Sequence, residues 1–310
     1  MTPAVSVVIP TFNRRDVLDE VLSALDRQLG APDFEVIVVD DGSSDGTAEA
    51  LDRRAQIRPL RLLQQRNRGP AAARNLGVTA ASGGLVAFLG DDTVPAPDWL
   101  ARHVAAHAER SAPRLAVVGF TDWHPRTRQT PFLRYLNARG LQFGYALISD
   151  PEQVPFNFFY TSNLSLRRTT LLEEPFDESF PFPAWEDTEA AYRLTRRGLR
   201  LVYEPRAIAQ HDHPTDFARF SRRQEQAGWS AAIFFRKHPE LREFLGIGPS
   251  GPERLPSRAR QFAREGLVRT LQFFPVSLPG LWEKTLRFHY LRGLHQGWNE
   301  GPADMERVES

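Results

Sequence analysis

The fold class follows from one segment, Phe34-Glu35-Val36-Ile37-Val38-Val39-Asp40-Asp41-Gly42-Ser43-Ser44-Asp45-Gly46. Its first half is almost entirely apolar and rich in β-branched residues, which predicts a buried strand. Its second half consists of acids, serines and glycines, which is typical of a turn. A strand that is apolar on both faces is characteristic of a parallel sheet covered by helices on both sides. The segment therefore predicts a mostly parallel, Rossmann-like α/β sheet.

The same pattern recurs through the first part of the chain. Apolar runs predict strands at residues 5–9, 60–63, 85–89 and 115–119, and helical patterns separate them from about residue 47, at 71–81 and at 99–108. Another helix is expected after Asn13, which is placed to cap it. Its apolar face would consist of Leu18, Leu22, Leu25 and Leu29. Strands that alternate with helices in this way indicate an α/β fold.

The second part of the chain loses this rhythm after Gly119. We expect a long connection at 120–160, strands at 160–166 and 199–203, and helices at 186–197 and 217–237. Residues 246–256 read as a linker, and two basic, aromatic helices are predicted at 257–273 and 280–296. The predicted organisation is one domain at 1–245, with halves at 1–119 and 120–245, followed by a linker and helical C-terminal extension at 246–310.

The composition excludes several classes of protein. The chain has 310 residues, a net charge of +1 and no cysteine, so we expect neither disulfides nor a nucleic-acid partner. It shows no signal peptide and no uninterrupted run of about 18 apolar residues, so a cytoplasmic protein is expected. The C-terminal helices suit peripheral contact with an anionic membrane, at the inner face of the cell membrane. The favoured alternative is that Phe273, Phe274 and Trp282 pack on the protein's own domain or in a homodimer.

Chemistry is expected where two predicted strands end in acidic residues. Ligands of open α/β sheets bind at the carboxyl ends of the strands. One such end carries Asp40 and Asp41, and another carries Asp91 and Asp92 after Gly90. Divalent cations such as Mg²⁺ prefer carboxylate oxygens and often share them with a diphosphate. Each acidic pair alone would more often be a solvated turn, but neighbouring strands would bring the two pairs together.

Four segments together make the chain resemble the family 2 glycosyltransferases, which have the GT-A fold. They are residues 7–14 (VVIPTFNR), 38–47 (VVDDGSSDGT), 67–77 (NRGPAAARNLG) and 88–95 (FLGDDTVP). The resemblance extends over about residues 4 to 240, with the motifs in the family's order and spacing. It implies transfer of a sugar from a nucleotide-diphosphate donor, with a nucleotide-binding half at 1–119 and an acceptor-binding half at 120–245.

The resemblance also implies which residues contact the nucleotide sugar. Asp41 would bind uracil or another base, with Asp40 close by. Other residues of the pocket would be Pro10, Thr11, Asn13, Gly69, Arg74 and Asn75. Gly69, Arg74 and Asn75 match the segment that flanks the ribose and diphosphate in similar enzymes. A guanidinium such as that of Arg74 is also a good phosphate partner on chemical grounds.

The metal motif departs from the family pattern. Similar enzymes have Asp-x-Asp, usually three consecutive aspartates, whereas this chain has Gly90, Asp91 and Asp92. Asp92 matches the usual direct ligand of Mn²⁺ or Mg²⁺, and Asp91 is the middle residue. His211 matches a histidine that often completes the metal site in similar enzymes, and His213 is the alternative. The missing first carboxylate leaves the donor sugar and the strength of metal binding open.

The resemblance places the catalytic base at the start of the helix predicted at 186–197. Asp187 is the second acid of the Glu-Asp pair and would deprotonate the acceptor hydroxyl. An anion is favoured at a helix N-terminus, so Asp187 should stay ionised. Glu186, Asn163 and Arg167 would border the acceptor. One base opposite the leaving diphosphate implies inversion by single displacement.

The predicted function is therefore an inverting, metal-dependent glycosyltransferase of envelope or exopolysaccharide synthesis in bacteria. The donor is expected to be a UDP-sugar, with GDP- and dTDP-sugars as open alternatives, and the acceptor a glycan or a lipid-linked saccharide. One alternative is a sugar nucleotidyltransferase of the same fold, although residues 10–14 lack the glycine-rich loop of that class. A second is a non-catalytic nucleotide-sugar-binding subunit, for which Gly90 is the main support.

Overall fold

The computed structural model describes residues 2–57, 59–110, 112–213, 215–256, 264–268 and 277–300. The chain divides into two compact units. The first consists of Met1–Arg128, Gln142–Glu178 and Glu186–His213, and the second of Gln129–Leu141, Ser179–Trp185 and Pro214–Ser310. These divisions lie at different places from the boundary predicted at residue 245, because the long helix after residue 216 belongs with the C-terminal segment.

The first unit is built on one eight-stranded sheet. Its strands are β1 (Val5–Thr11), β2 (Phe34–Asp40), β3 (Arg61–Gln64), β4 (Leu85–Leu89), β5 (Thr93–Pro95), β6 (Leu115–Trp123), β7 (Asn163–Arg167) and β8 (Arg200–His211). The spatial order is β3-β2-β1-β4-β7-β6-β8-β5. Strands β3, β2, β1 and β4 are parallel, whereas β7 is antiparallel to both β4 and β6. The predicted mixed α/β class and mostly parallel first half are confirmed.

Nine α-helices of six residues or more lie within the described ranges. They are α1 (Arg15–Leu25), α2 (Thr47–Ala55), α3 (Gly69–Ala80), α4 (Trp99–Glu109), α5 (Pro131–Ala138), α6 (Arg168–Glu173), α7 (Glu186–Arg196), α8 (Phe217–Lys237) and α9 (Pro279–Asn299). Helices α5, α8 and α9 belong to the second unit, and the others to the first. Apolar residues cover both faces of the sheet, with Val8 and Ile37 on one face and Val7 and Ile9 on the other, all fully buried.

The start of α1 differs from the prediction. Asn13 does not cap the helix, because its backbone has a φ of 54° and its Oδ1 accepts a hydrogen bond from the Ser44 amide at 2.8 Å. The helix begins at Arg15 and ends at Leu25. Leu29 therefore lies beyond the helix and is 64% exposed, unlike the other leucines predicted on this face.

Strands β6 and β8 are longer than predicted, and this extension positions part of the site. Their register shifts between Gly119 and Phe120, so that residues 205–207 of β8 form a bulge. Beyond the bulge, β8 continues to His211, which pairs with Thr93 of β5. The sequence pattern stopped at residue 203 because Pro205 and Arg206 interrupt the apolar run. The long connection predicted at 120–160 contains the end of β6 and the short helix α5.

The second unit packs α8 closely against α9. A Cβ at Gly228 would lie 1.9 Å from the Tyr290 carbonyl oxygen, and one at Gly293 would lie 1.8 Å from the Glu225 carbonyl oxygen. Only glycine permits this approach of the two backbones. Trp282 of α9 is 4% exposed and packs within the same unit, which confirms the predicted packing on the protein's own chain.

The structure describes only part of the predicted C-terminal extension. The helix predicted at 280–296 is α9, whereas the one predicted at 257–273 is described only at residues 264–268, which are helical. Phe273 and Phe274 lie outside the described residues. Among the residues that are described, no helix is long and apolar enough to span a membrane.

Candidate functional site

The carboxyl ends of β1, β2 and β4 meet at one edge of the sheet. Strand β1 pairs with β2 on one side and with β4 on the other, so the two acidic strand ends flank it as neighbours of one strand. The Thr11 hydroxyl donates a hydrogen bond to Asp91 Oδ2 at 2.8 Å. The Asn13 amide donates to Ser43 Oγ at 2.8 Å. These bonds hold the loops after three strands together around a single site.

Asp41 is held by the first turn of α3. Its Oδ1 accepts hydrogen bonds from Gln65 Nε2 at 2.7 Å and from the Arg68 amide at 2.9 Å, and its Oδ2 accepts one from the Gly69 amide at 2.8 Å. Burial raises the pKa of Asp41, and these three donors oppose the rise. Because a carboxylate oxygen has two lone pairs, Oδ2 can accept one more donor. Asp41 is thus fixed in place and can still recognise a base N–H.

Asp40 and Pro10 belong to the neighbouring ends of β2 and β1. Asp40 is 2% exposed, and its Oδ1 accepts the Ser43 amide at 3.0 Å, which closes the acidic turn. Pro10 pairs with Val39 in the β1–β2 register. The structure therefore brings the predicted pocket residues of β1 and β2 together, with Asp40 serving as a turn residue.

Arg74 and Asn75 of α3 make contacts that the sequence did not predict. Arg74 Nη1 donates a 2.8 Å hydrogen bond to Glu186 Oε1, and both side chains are buried. Asn75 donates to the Phe176 carbonyl and to Glu178 Oε1, each at 2.9 Å, and accepts the Phe176 amide. Both residues predicted to flank the diphosphate thus hold other parts of the chain in this structure.

Asp91 and Asp92 lie beside the guanidinium of Arg14. Arg14 Nε is 4.0 Å from Asp91 Oδ1, and its Nη2 is 3.9 Å from Asp92 Oδ2. Arg14 also donates to Nδ1 of His213 at 2.8 Å. Burial and the adjacent charge of Asp92 raise the pKa of Asp91, and Arg14 opposes the rise. Arg14 therefore places a positive charge of the protein beside Asp91 and Asp92.

His211 is the imidazole best placed to share a metal with Asp92. Its Nε2 is 3.5 Å from Asp92 Oδ1. Two atoms that each lie about 2.1 Å from one ion are roughly 3.0 to 3.5 Å apart, so this separation suits joint coordination. Trp123 and Phe143 meet the His211 ring edge-on at 5.4 Å and 5.5 Å and fix its orientation. His213 Nδ1 is 3.7 Å from Asp92 but accepts the bond from Arg14.

The chain does not supply a complete metal cage in its described part, where no group of three or more His, Asp and Glu side chains is arranged to hold an ion. Magnesium-type ions are commonly bound by one or two protein ligands together with substrate phosphates. Asp92 and His211 fit that role, with the other ligands coming from a diphosphate.

Gly90 stands where the family has the first motif aspartate, and the space beside it is filled. A Cβ at this position would lie 2.6 Å from Thr93 Oγ1 and 3.3 Å from Asp92 Oδ1. Thr93 is completely buried, and its hydroxyl is 3.3 Å from Asp92 Oδ1. The Thr93 hydroxyl therefore occupies the space that a side chain at position 90 would need.

Glu186 and Asp187 form the first turn of α7, as predicted. Glu186 is 3% exposed; burial raises its pKa, and the Arg74 guanidinium opposes the rise. Asp187 is partly exposed, and its Oδ1 accepts hydrogen bonds from the amide and hydroxyl of Thr188 at 2.7 Å and 3.2 Å. The two acids have different environments: Glu186 is buried against a cation, whereas Asp187 is accessible to a substrate.

Asn163 is fully buried in the sheet. Its Oδ1 accepts from Trp99 Nε1 at 2.7 Å and lies 2.9 Å from His103 Nε2, and its Nδ2 donates to the carbonyls of Phe120 and Ala207. Since the amide is occupied by the interior, these contacts give Asn163 a structural role in place of the predicted acceptor contact.

Arg167 is separated from the site by the length of β7. It pairs with Leu85 at the start of β4, whereas Asn163 pairs with Leu89 at the end that leads into Gly90. The structure therefore does not bring Arg167 to the edge that carries Asp91 and Asp92. The antiparallel direction of β7 is the reason, and the sequence pattern did not show it.

Four residues at this edge were not predicted as site residues. They are Arg14, Gln65, Trp123 and Phe143. Arg14 had a signal, because it directly follows Asn13 at the end of a buried strand. The other three reach the site from distant segments, and their spacing in the sequence carried no signal.

Comparisons with known proteins identify the family of the chain. The family model described as "Glycosyl transferase family 2" matches residues 6–171, which is more than half of the chain. The chain belongs to this family. The match includes Asp41, Asp91 and Asp92 but ends before Asp187 and His211.

Two glycosyltransferase relatives align with much of this chain. Validoxylamine A glucosyltransferase of Streptomyces hygroscopicus subsp. limoneus is 30% identical over 272 residues, which cover 77% of this chain and 58% of that protein. Chondroitin synthase of Escherichia coli is 29% identical over 240 residues, covering 67% of this chain and 34% of that protein. The chain thus spans less than two thirds of the length of these relatives.

Solved structures confirm the GT-A fold. The mannosyltransferase PcManGT from Pyrobaculum calidifontis, in complex with GDP-Man and Mn²⁺, superimposes with a TM-score of 0.62 at 21% identity, covering 97% of this chain and 89% of that one. S. aureus TarS 1–349 in complex with UDP superimposes with a TM-score of 0.55 at 15% identity, covering 99% and 93%. At these identities the likeness concerns the fold.

Proposed function

We propose that this protein is an inverting glycosyltransferase that uses a UDP-sugar and a divalent metal. One observation carries the proposal: the edge of the sheet that presents Asp41 also presents Asp92 beside His211. Asp41 offers an acceptor for a base N–H, and the Asp92–His211 pair suits an ion that also binds a diphosphate. PcManGT with GDP-Man and Mn²⁺ and TarS with UDP bind ligands of this class.

The metal ion and the diphosphate of the donor would be bound by Asp92, His211 and Arg14. Asp92 and His211 would hold Mn²⁺ or Mg²⁺, which when bound stabilises the charge on the departing diphosphate. Arg14, within 4.0 Å of both acids, can turn toward the phosphates and add a further cation. The Thr11 hydroxyl holds Asp91 in place beside them.

Asp187 supplies the base in this proposal. Thr188 binds its Oδ1 and so orients the carboxylate at the start of α7. The other oxygen takes the proton from the acceptor hydroxyl as that oxygen attacks the anomeric carbon and the nucleoside diphosphate leaves. A single displacement of this kind inverts the configuration of the sugar. The acceptor is a glycan or a lipid-linked saccharide.

A thermal-shift panel tests the donor site. UDP, GDP and dTDP are each added with and without Mn²⁺, and the melting temperature of the full chain is recorded. A ligand that binds the native state alone stabilises it, by about 2.7 kcal/mol at a concentration of 100 times its Kd. We expect UDP with Mn²⁺ to give the largest shift. Absence of any shift with all three nucleotides would refute the proposed function.

An Asp187→Asn variant tests the base. General-base catalysis contributes about 10² to 10⁴ in rate, so transfer and donor hydrolysis should fall by that factor while the UDP thermal shift is kept. Glu173→Gln, an exposed acid of the same unit, is the matched control and should retain full activity. Release of UDP at the wild-type rate by Asp187→Asn would exclude this residue as the base.

A non-catalytic nucleotide-sugar-binding subunit is the second candidate, because Gly90 replaces a motif carboxylate. Donor hydrolysis by the purified chain with Mn²⁺ separates the two functions. A nucleotide shift without any hydrolysis or transfer would favour the binding subunit. Sugar nucleotidyl transfer is tested in the same assay by supplying UTP and a sugar phosphate.

Membrane contact and homodimer formation, both predicted from the sequence, are not part of the proposed function. The basic helix expected to touch a membrane lies largely outside the described residues, and Trp282 is buried in its own unit. Membrane contact and homodimer formation therefore remain predictions from the sequence.

A further inference from the structure

The second unit contains a pocket of its own, with a volume of about 360 Å³. Its lining comes from α5, α8, α9 and the segments around residues 185 and 245, all of which belong to that unit. Ligand pockets have volumes of about 300 to 1,000 Å³, so this one suits a small ligand. None of the residues predicted from the sequence to bind the donor, the metal or the acceptor contributes to it.

Aromatic side chains form one wall of the pocket. The rings of Trp185 and Phe244 meet at nearly a right angle, with centroids 5.7 Å apart. Phe244 is 41% exposed, so part of its ring is open to a ligand. Tyr135 and Tyr290 line the same pocket. Tyr135 and Tyr290 are themselves buried, so the accessible aromatic surface of the wall comes from Phe244 and the partly exposed Trp185.

Trp185 is held in an uncommon backbone conformation. Its φ is 73°, a value that bulky residues rarely adopt. Such a conformation persists where the surroundings impose it, and it often marks a functional site. Here the Trp185 Nε1 donates to the Ala227 carbonyl at 2.9 Å, and the ring packs on Phe234. In the chain, Trp185 lies two residues before Asp187, the base of the proposed reaction.

The two cations of the pocket are both paired with carboxylates. Arg139 lies 3.1 Å from Glu283, and Arg287 lies 3.2 Å from Glu253 and donates to the Gly246 carbonyl. Each cation thus has a carboxylate partner: Glu283 lines the pocket, whereas Glu253 lies outside the lining. The Gln224 amide also lines the pocket, and among the described residues it has no hydrogen-bond partner. A primary amide can both donate to and accept from hydroxyl groups.

These features match an uncharged sugar ring. A pyranose has C–H groups on its faces, which pack on aromatic rings, and hydroxyls at its edge, which need amide and carboxylate partners. We propose that the pocket lined by Tyr135, Trp185, Gln224 and Phe244 binds a neutral pyranose unit of the acceptor. The inference rests on the proposed transferase function and specifies its acceptor as a saccharide with an uncharged sugar.

Binding is tested on the full chain by saturation-transfer difference NMR without nucleotide or metal. The probes are methyl β-D-glucopyranoside, methyl α-D-mannopyranoside and methyl N-acetyl-β-D-glucosaminide, with methyl β-D-glucuronide as the charged counterpart. We expect saturation of at least one neutral glycoside, strongest at the C–H protons that face the aromatic wall. Binding of the glucuronide in preference to every neutral probe would overturn the proposal, as would the absence of binding by all neutral probes.

Variants of the lining residues test whether the glycoside binds in this pocket. Gln224→Ala and Phe244→Ala should each weaken binding of the neutral glycoside by about three- to tenfold, the effect of losing one hydrogen bond or a comparable contact. Gln226→Ala is the matched control, since it lies on the same helix and does not line the pocket. Melting temperatures establish that each variant is folded, and Gln224→Ala keeps the test valid if Phe244→Ala is unstable. Unchanged binding in the Gln224→Ala variant would overturn the assignment.

The outcome for the pocket is separable from that for the donor site. The UDP and Mn²⁺ thermal shift is measured on the same preparations. If UDP stabilises the chain but no neutral glycoside binds, the pocket assignment fails and the transferase proposal stands. If neutral glycosides bind with the expected variant effects but no nucleotide does, the pocket is a saccharide site and the transferase proposal fails.

Discussion

Arg74 Nη1 donates a 2.8 Å hydrogen bond to Glu186 Oε1 in the interior of the first unit. Arg74 belongs to α3, whose first turn holds Asp41, and Glu186 begins α7, whose next residue is Asp187. The pair therefore joins the helix that supports the base-recognition carboxylate to the helix that carries the proposed catalytic base. Arg74 also lies over the Phe176 ring at 5.5 Å.

Removal of one partner of this pair should destabilise the fold strongly. Arg74→Ala leaves the buried Glu186 carboxyl without its cation, which costs about 3 to 5 kcal/mol, whereas replacing both partners by methionine should cost much less. Urea unfolding of the single and double variants measures this. The control is Arg114→Ala, whose exposed pair with Glu173 should contribute at most about 1 kcal/mol. Equal losses for Arg74→Ala and Arg114→Ala would contradict the assigned role.

Metal binding should depend on Asp92 and His211. Asp92→Asn and His211→Ala each remove a ligand and should weaken Mn²⁺ binding in the presence of UDP by about tenfold or more. Titration calorimetry with Mn²⁺, with UDP present throughout, provides the measurement. His238→Ala, which changes a histidine of the second unit, is the control. Unaltered Mn²⁺ affinity in both variants would show that the ion binds elsewhere.

Restoring the motif carboxylate should meet a steric obstacle. In Gly90→Asp the new Cβ would approach Thr93 Oγ1 to 2.6 Å, so we expect a loss of about 1 to 3 kcal/mol in unfolding free energy. Thr93→Ala in the same chain should recover part of this loss, which a double-mutant cycle detects. Gly84→Asp is the matched control, because nothing lies within 4 Å of a Cβ there. A Gly90→Asp variant as stable as Gly84→Asp would refute the steric account.

Stability should fall on mild acidification because of two histidines on α4. Burial lowers the pKa of His103 and of His107 to about 4, below the usual value near 6.5. Between pH 6.5 and pH 4 the unfolded state therefore binds more protons than the folded state. Unfolding free energy should drop as pH falls through this window, by up to about 1.4 kcal/mol per pH unit for each histidine.

The protonation state of these rings can be measured directly. Long-range ¹H–¹⁵N spectra at pH 5 should show neutral imidazoles for His103 and His107, assigned with His107→Gln. The hydrogen bonds predict a proton on His103 Nε2, which faces the Asn163 Oδ1 acceptor. A charged His103 ring at pH 5 would contradict the structure, and His295→Gln serves as a control at the surface.

Much of the fold was predictable because its signals are local. The strands at 5–9, 34–39 and 85–89 and the helices at 186–197 and 217–237 agree with β1, β2, β4, α7 and α8. A continuous apolar run or a helical period depends only on neighbouring residues. The antiparallel direction of β7 and the extension of β8 past its bulge depend on pairing with distant strands, so the pattern did not contain them.

The amino-acid sequence by itself determined the family, the acidic strand ends and the order of Asp41, Asp92 and Asp187 along the chain. Motif residues lie close together in sequence, and their spacing is enough to identify them. The tertiary structure alone decided which partners these residues have. It paired Arg74 with Glu186, which is 112 positions away, buried Asn163 in the sheet, and brought His211 beside Asp92. Hydrogen-bond partners depend on distance in space, which only the packed sheet and helices define.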